Sequence, residues 1–100
     1  MNQTTHLIVA SLIGLALSGP ASAVDRHTEV IAATCMSCHG PGGKSLGTIP
    51  SLAGLQQDDF VKTLKEFRSG TRLASIMKRH ASGYTDAEIE ALGAFFASLK

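Results

Sequence analysis

Two cysteines stand three positions apart in a chain of 100 residues that has no others, and a histidine follows them: Cys35-Met36-Ser37-Cys38-His39. A C-x-x-C pair on a helix projects both thiols from one side of a single turn, so both reach one object. What that object is decides what the chain can fold into. A zinc ion needs four ligands, and His39 with His27 or His80 would have to complete the set, at spacings unlike those of a zinc finger. A dithiol redox pair belongs in a βαβ setting, and no segment here alternates as a strand does. A disulfide between cysteines three apart in a helix would add little.

The immediately following histidine points elsewhere. C-x-x-C-H is the attachment motif of haem c: each thiol adds across one porphyrin vinyl group, and His39 is then held beneath the iron as the proximal ligand. Such a histidine donates its second ring N–H to a carbonyl that fixes the ring. Pro50, eleven residues on, is the candidate for that carbonyl. One covalently bound haem c is therefore the expected cofactor.

The expected cofactor bears on the size of the domain. Residues 1–24 contain no Asp, Glu, Lys or Arg, and all the charged residues and aromatics follow them. Leu7–Leu17 is an apolar run interrupted only by Ser11 and Gly14, then come Gly19-Pro20 and Ala21-Ser22-Ala23. This is the layout of a secretory signal, although Met1–His6 lacks Lys and Arg, and it predicts cleavage after Ala23. An uncleaved anchor on the outer side of the membrane is the alternative. Either way the expected location is the periplasm, with no membrane span after cleavage. The domain at 24–100 has about 77 residues, near the lower limit for an apolar core that must stand alone. A porphyrin at its centre would supply what the few aromatics do not.

The domain reads as all-α, with three main helices. The first spans about Asp25–Cys38, with Val30, Ile31 and Thr34 on its buried face, extended by Cys35 and Cys38. Gly40, Pro41, Gly42 and Gly43 end it. A loop to about Leu55 is long for so small a domain unless it wraps something. The second helix spans about Gln57–Ser69, with Phe60, Leu64 and Phe67 buried and Val61 beside them. Asp58 and Asp59 begin it, Arg68 ends it, and Gly70 closes it. Thr71–Tyr84 reads as a loop or a short broken helix. The third main helix spans about Asp86–Leu99 behind a Thr85/Glu88 capping box, with Ile89, Leu92, Phe95, Phe96 and Leu99 on its apolar face. Gly93 and the alanines at 91, 94 and 97 leave room for a close helix crossing.

Among the methionines, Met1 leaves with the signal and Met36 lies between the cysteines, so Met77 is the candidate for the distal iron ligand. A Met/His pair raises the reduction potential. His80 is the competing ligand, and core packing is the third reading of Met77. His27 is expected on the exposed face of the first helix. Arg68, Arg72, Lys78, Arg79 and His80 cluster around Met77. They are candidates for holding a haem propionate, Arg72 foremost in the site assignment, or for guiding an acidic partner, against the plainer reading of a solvated loop. Lys62, Lys65 and Glu66 read as the exposed side of the second helix. The formal net charge of +1 excludes nucleic-acid binding as the main theme.

The whole of 25–100 resembles a class I cytochrome c. In that family an apolar residue four before the first cysteine packs on the last helix. Ile31 occupies the position here, with Leu92 and Phe95 as its expected partners. The family often has Gly eight before the first cysteine, and His27 in its place predicts a looser or displaced crossing. A narrower resemblance rests on Ile49-Pro50-Ser51-Leu52-Ala53-Gly54-Leu55, Phe67-Arg68-Ser69-Gly70-Thr71-Arg72, Ile76-Met77 and Gly83-Tyr84-Thr85-Asp86-Ala87-Glu88-Ile89. This series is similar to the cytochrome subunit of flavocytochrome c sulfide dehydrogenase. The resemblance implies Met77 as the distal ligand and a flavoprotein as the electron donor. With His39 and Met77 both on the iron no substrate can reach it, which argues for outer-sphere electron transfer, with no catalytic residue, and against oxygenase or peroxidase chemistry. The alternatives are a freely diffusing electron carrier of a respiratory or photosynthetic chain, and a haem enzyme or gas sensor with an open distal site.

Overall fold

The computed structural model describes residues 25–100 together with Gly14. The expected signal at 1–23 lies outside the described residues apart from Gly14. Among the described residues there are four α-helices and no strand: α1 (Arg26–His39), α2 (Gln57–Ser69), α3 (Ile76–Ser82) and α4 (Asp86–Ser98), with a single 3₁₀ turn at Pro41–Gly43. No described helix is long and apolar enough to cross a membrane.

The helices α1 and α4 start at side-chain caps. Asp25 caps α1, its Oδ1 accepting from the His27 N–H at 3.2 Å, which satisfies one of the donors left over at a helix start. At α4 the capping box is complete: Thr85 Oγ1 accepts from the Glu88 N–H at 3.1 Å, and Glu88 Oε1 accepts from the Thr85 N–H at 2.9 Å. At the far end of α2 the Gly70 N–H donates to the Glu66 and Phe67 carbonyls.

The core gathers Ala32 from α1, Phe60, Val61 and Leu64 from α2, Ala81 from α3, and Ile89, Leu92 and Phe96 from α4. α4 packs on both α1 and α2, and α3 packs on α2. Phe96 is the hub. Its ring stacks on Phe60 at 5.6 Å between centroids and meets Phe95 edge-on at 5.2 Å, the geometries that the aromatic quadrupole favours. Gly93 is where α4 meets α2. A Cβ there would come within 3.1 Å of Val61 Cγ2 and 3.2 Å of Gln57 Cγ.

Two expectations change. The buried face of α1 is centred on Thr28 and Ala32, and Val30 is 63% exposed. Thr34 is likewise exposed, and Ile31 is half-buried against the core. A helix crossing puts a small residue at the point of contact, so Ala32 sets the register, with Thr28 and half-buried Met36 one turn to either side. The segment 71–84 follows the helical of its two readings, with a seven-residue helix, α3, anchored by fully buried Ala81. The second change concerns His27: of the looser or displaced crossing expected from it, looseness is not seen, since Ala32 and Leu92 are both fully buried. Its imidazole lies against α4 instead, Nε2 being 2.6 Å from Glu88 Oε2.

Candidate functional site

The last turns of α1 carry Cys35, Cys38 and His39. Both cysteines are free, Cys35 half-buried and Cys38 exposed. The Cys35 thiol donates to the Ile31 carbonyl at 3.6 Å. Burial pushes that thiol up from its ordinary value, with the Tyr84 hydroxyl beside it working the other way, so Cys35 is held as a neutral thiol rather than a ready thiolate. No group of three His, Cys, Asp or Glu side chains stands close enough to hold a metal ion among the described residues.

His39 is oriented by the loop that follows it. Its Nδ1 lies 2.5 Å from the Pro50 carbonyl oxygen. A carbonyl only accepts, so Nδ1 carries a proton here, and the tautomer this bond selects in the neutral ring is the one whose lone pair is on Nε2. Several bonds bring Pro50 back across the 41–55 loop. The Gly43 carbonyl accepts from the Leu52 N–H at 2.7 Å and the Ala53 N–H at 3.0 Å. Ser51 Oγ accepts from the Ser45 N–H at 2.9 Å, and the Gly54 N–H donates to the Phe96 carbonyl at 2.9 Å. The turn needs its glycines. Gly40 has φ 96°, and a Cβ there would overlap the Lys44 carbonyl oxygen. At Gly43 (φ 77°) a Cβ would come within 3.0 Å of both the Ala53 nitrogen and Phe96 Cδ1. The Gly-Gly pair at 42–43 was the sequence signal for this closure, and it reads there only as a helix terminator.

Met77 sits in the first turn of α3, half-buried against the same core as Cys35 and Met36. His80, the competing ligand, is exposed in the last turn of that helix. The basic cluster divides. Arg68 binds the Tyr84 carbonyl and Asp86, so it is built into the α3–α4 corner rather than offered to solvent. Arg72 is exposed, with Nε 3.4 Å from Glu66 Oε2 and its guanidinium carbon 5.7 Å from the centroid of the Phe67 ring. Lys62 is exposed as expected, whereas Lys65 and Glu66 are half-buried, each in an ion pair, with Glu90 and Arg72 respectively. His27 is not a bystander on the surface, since it joins α1 to α4 through Glu88. Spacing could not reveal that pair, because its members are 61 residues apart.

The residues present suit a porphyrin. A half-buried thiol at Cys35 and an exposed one at Cys38 stand at the end of the helix that also carries His39, whose Nδ1 is held by the Pro50 carbonyl. Leu73 (99%) and Ile76 (59%), which flank the start of α3, and Ile49 (43%), in the loop before Pro50, are exposed large apolar side chains. A cleft of about 560 Å³ opens beside Cys38, between the end of α1 and Leu46–Ile49.

Comparison with known proteins agrees with this geometry. Residues 22–96 match the family model described as cytochrome c oxidase, cbb3-type, subunit III. The chain is 34% identical to the cytochrome subunit of sulfide dehydrogenase from Chlorobaculum tepidum, over 93% of this chain and 90% of that one. It is 34% identical to the thiosulfate dehydrogenase electron acceptor of Thiomonas intermedia, over 94% of this chain and 43% of that one. Among solved structures it is similar to cytochrome c4 of Acidithiobacillus ferrooxidans, with 30% identity and a TM-score of 0.71. The match covers 82% of this chain, which spans about half (53%) of that cytochrome. All-helical fold, family model and relatives converge: the chain belongs to the class I cytochrome c family, as a monohaem electron-transfer protein with covalently bound haem c.

Proposed function

We propose that the chain is an exported cytochrome that accepts electrons from a flavoprotein of the sulfide dehydrogenase kind and passes them on singly. The observation that carries this reading is the likeness to the Chlorobaculum tepidum subunit over nearly the full length of both chains. On this reading the signal is removed after Ala23 and the domain at 24–100 works in the periplasm. Cys35 and Cys38 would hold the haem covalently, through one thioether apiece. His39 presents Nε2 as the proximal ligand while the Pro50 carbonyl holds its Nδ1 proton, fixing the ring and raising its basicity. Met77 presents its thioether on the distal side, and Arg72, with Nε already on Glu66, turns its remaining donors to a propionate. When bound, haem c supplies one reversible electron through the ferric and ferrous states of its iron. With His39 and Met77 both serving as iron ligands, the chain would keep small molecules off the iron and favour outer-sphere transfer.

Purification from cells that export and mature the cytochrome tests this. The expected product has the mass of 24–100 plus one haem and a Soret band that survives denaturation. It elutes with a flavin-containing subunit and is reduced on addition of sulfide. A chain that elutes alone and stays oxidised when mixed with the flavoprotein and sulfide would return the reading to a freely diffusing carrier. Rapid carbon monoxide binding to the reduced protein with no change at Met77 would return it to an open-site haem protein.

A further inference from the structure

The segment that carries Met77 leaves the end of α2 and rejoins the core at the start of α4, and one side chain joins the two ends. Arg68, in the last turn of α2, donates from Nη1 to the Tyr84 carbonyl at 3.2 Å and from Nη2 to Asp86 Oδ1 at 2.5 Å. These partners lie 16 and 18 residues ahead of it in sequence, and Met77 lies between. On its outgoing side the segment has no regular structure at Thr71–Ser75, and Leu73 is 99% exposed. Thr71 Oγ1, the Arg72 N–H and Arg72 Nε all turn back to Glu66 rather than forward to α3. On the return side Ala81 is fully buried, α3 packs on α2, and the Arg68 fork ties down the residues that follow α3. A planar guanidinium suits two acceptors at fixed directions, which a lysine ammonium cannot reproduce.

We propose that Arg68 is a positioning residue for the distal iron ligand: by clasping Tyr84 and Asp86 it closes the stem of the 69–84 segment and keeps the Met77 sulfur on the iron. The inference rests on Met77 as the distal ligand. The guanidinium also holds the Asp86 carboxyl below the usual carboxylate range, chiefly through their hydrogen bond, so the clasp stays ion-paired across the neutral range. A tether that shortens the free span of a loop restricts how far its middle can travel. Met77 is therefore expected to leave the iron more often once the clasp is cut.

The test uses the haem-loaded protein and two readouts of the distal ligand. One is the rate at which carbon monoxide takes the ferrous iron, which waits on departure of the sulfur. The other is the sulfur-to-iron charge-transfer absorption of the ferric protein as pH is raised. Arg68→Gln should speed carbon monoxide entry about tenfold, the factor expected from losing hydrogen bonds to a charged donor, and should move loss of the absorption to lower pH. Arg68→Lys and Asp86→Asn should do the same by smaller factors, and they carry the test where Arg68→Gln does not fold. His27→Gln loosens the α1–α4 contact and leaves Tyr84, Asp86 and the capping box in place, so it should lower the melting temperature and leave both readouts alone. If the Arg68 and Asp86 variants lower the melting temperature as His27→Gln does, with carbon monoxide entry unchanged, Arg68 is structural only and the proposal fails. Met77→Ala tests the ligation separately. Loss of the absorption upholds it, and persistence of the absorption refutes the ligation itself.

Discussion

Replacing Gly43 by alanine tests whether the close approach at the turn after His39 sustains the site. An added Cβ would come within 3.0 Å of the Ala53 nitrogen and of Phe96 Cδ1. Neither can yield cheaply. The nitrogen is backbone, and the ring is fully buried and stacked on Phe60. Two terms add. A non-glycine residue in the left-handed region costs about 1–2 kcal/mol, and forcing atoms into a packed site costs about 1–3 kcal/mol more. Gly42 separates them. Its φ is 63°, but nothing lies within 4 Å of its Cβ position, so Gly42→Ala carries the first term alone. Both variants lose the same glycine entropy from the unfolded chain, which cancels between them. Gly43→Ala should thus be less stable than Gly42→Ala by the packing term, and each kcal/mol lowers the melting temperature of a domain this size by about 4–8 °C. The assay is thermal unfolding of the haem-loaded proteins, with a reduction potential measured on each. The displaced Ala53 N–H also pulls on the loop that presents the Pro50 carbonyl to His39. A less basic imidazole stabilises ferric iron less, so the potential of Gly43→Ala should rise. Equal melting temperatures for the two variants would refute the steric argument, and an unchanged potential would refute its extension to His39.

Three further outcomes are expected. Phe96→Ala empties the centre of the core and should cost about 3–5 kcal/mol, a large share of a total of the order of 5–15 kcal/mol, read as a fall in the melting temperature. For the His27–Glu88 pair, the hydrogen bond to Glu88 raises the His27 pKa, so its contribution is full below the ordinary value of 6.5 and is lost as pH rises through the raised one. The Glu88 pKa is lowered, first by the Thr85 N–H and then by His27, so its contribution is present above the ordinary 4.5 and is lost as pH falls through the lowered value. His27→Gln should therefore lower the melting temperature most between these two ordinary values and less toward alkaline pH, and a difference that does not shrink there would count against the pair. Finally, the chain with Cys35 and Cys38 both changed to alanine should show no cooperative thermal transition by circular dichroism, because about 77 residues with so few aromatics need the porphyrin to complete the core.

Chemistry carried by adjacent residues was legible in the chain before any fold was known. Cys35, Cys38 and His39 define their cofactor because three covalent neighbours on one helix turn need no tertiary partner to share a face. The C-terminal end of α2 and the start of α4 were equally plain, because Gly70 and the Thr85/Glu88 box act on backbone groups one turn away. What the sequence alone left open depends on pairs brought together only by packing. The buried face of α1 follows from the packing of Thr28 and Ala32 against the core rather than from the larger side chains of Val30 and Ile31. Seven residues with apolar positions at 76, 77 and 81 make no clear stripe, and α3 forms because Ala81 finds a place on α2. His27 and Glu88, 61 positions apart, and Arg68 with Tyr84 and Asp86 each look like separate surface residues until the helices cross. A capping or ligating signal acts over one turn and is written where it acts, whereas a clasp between distant segments exists only once the core has set the helices in place.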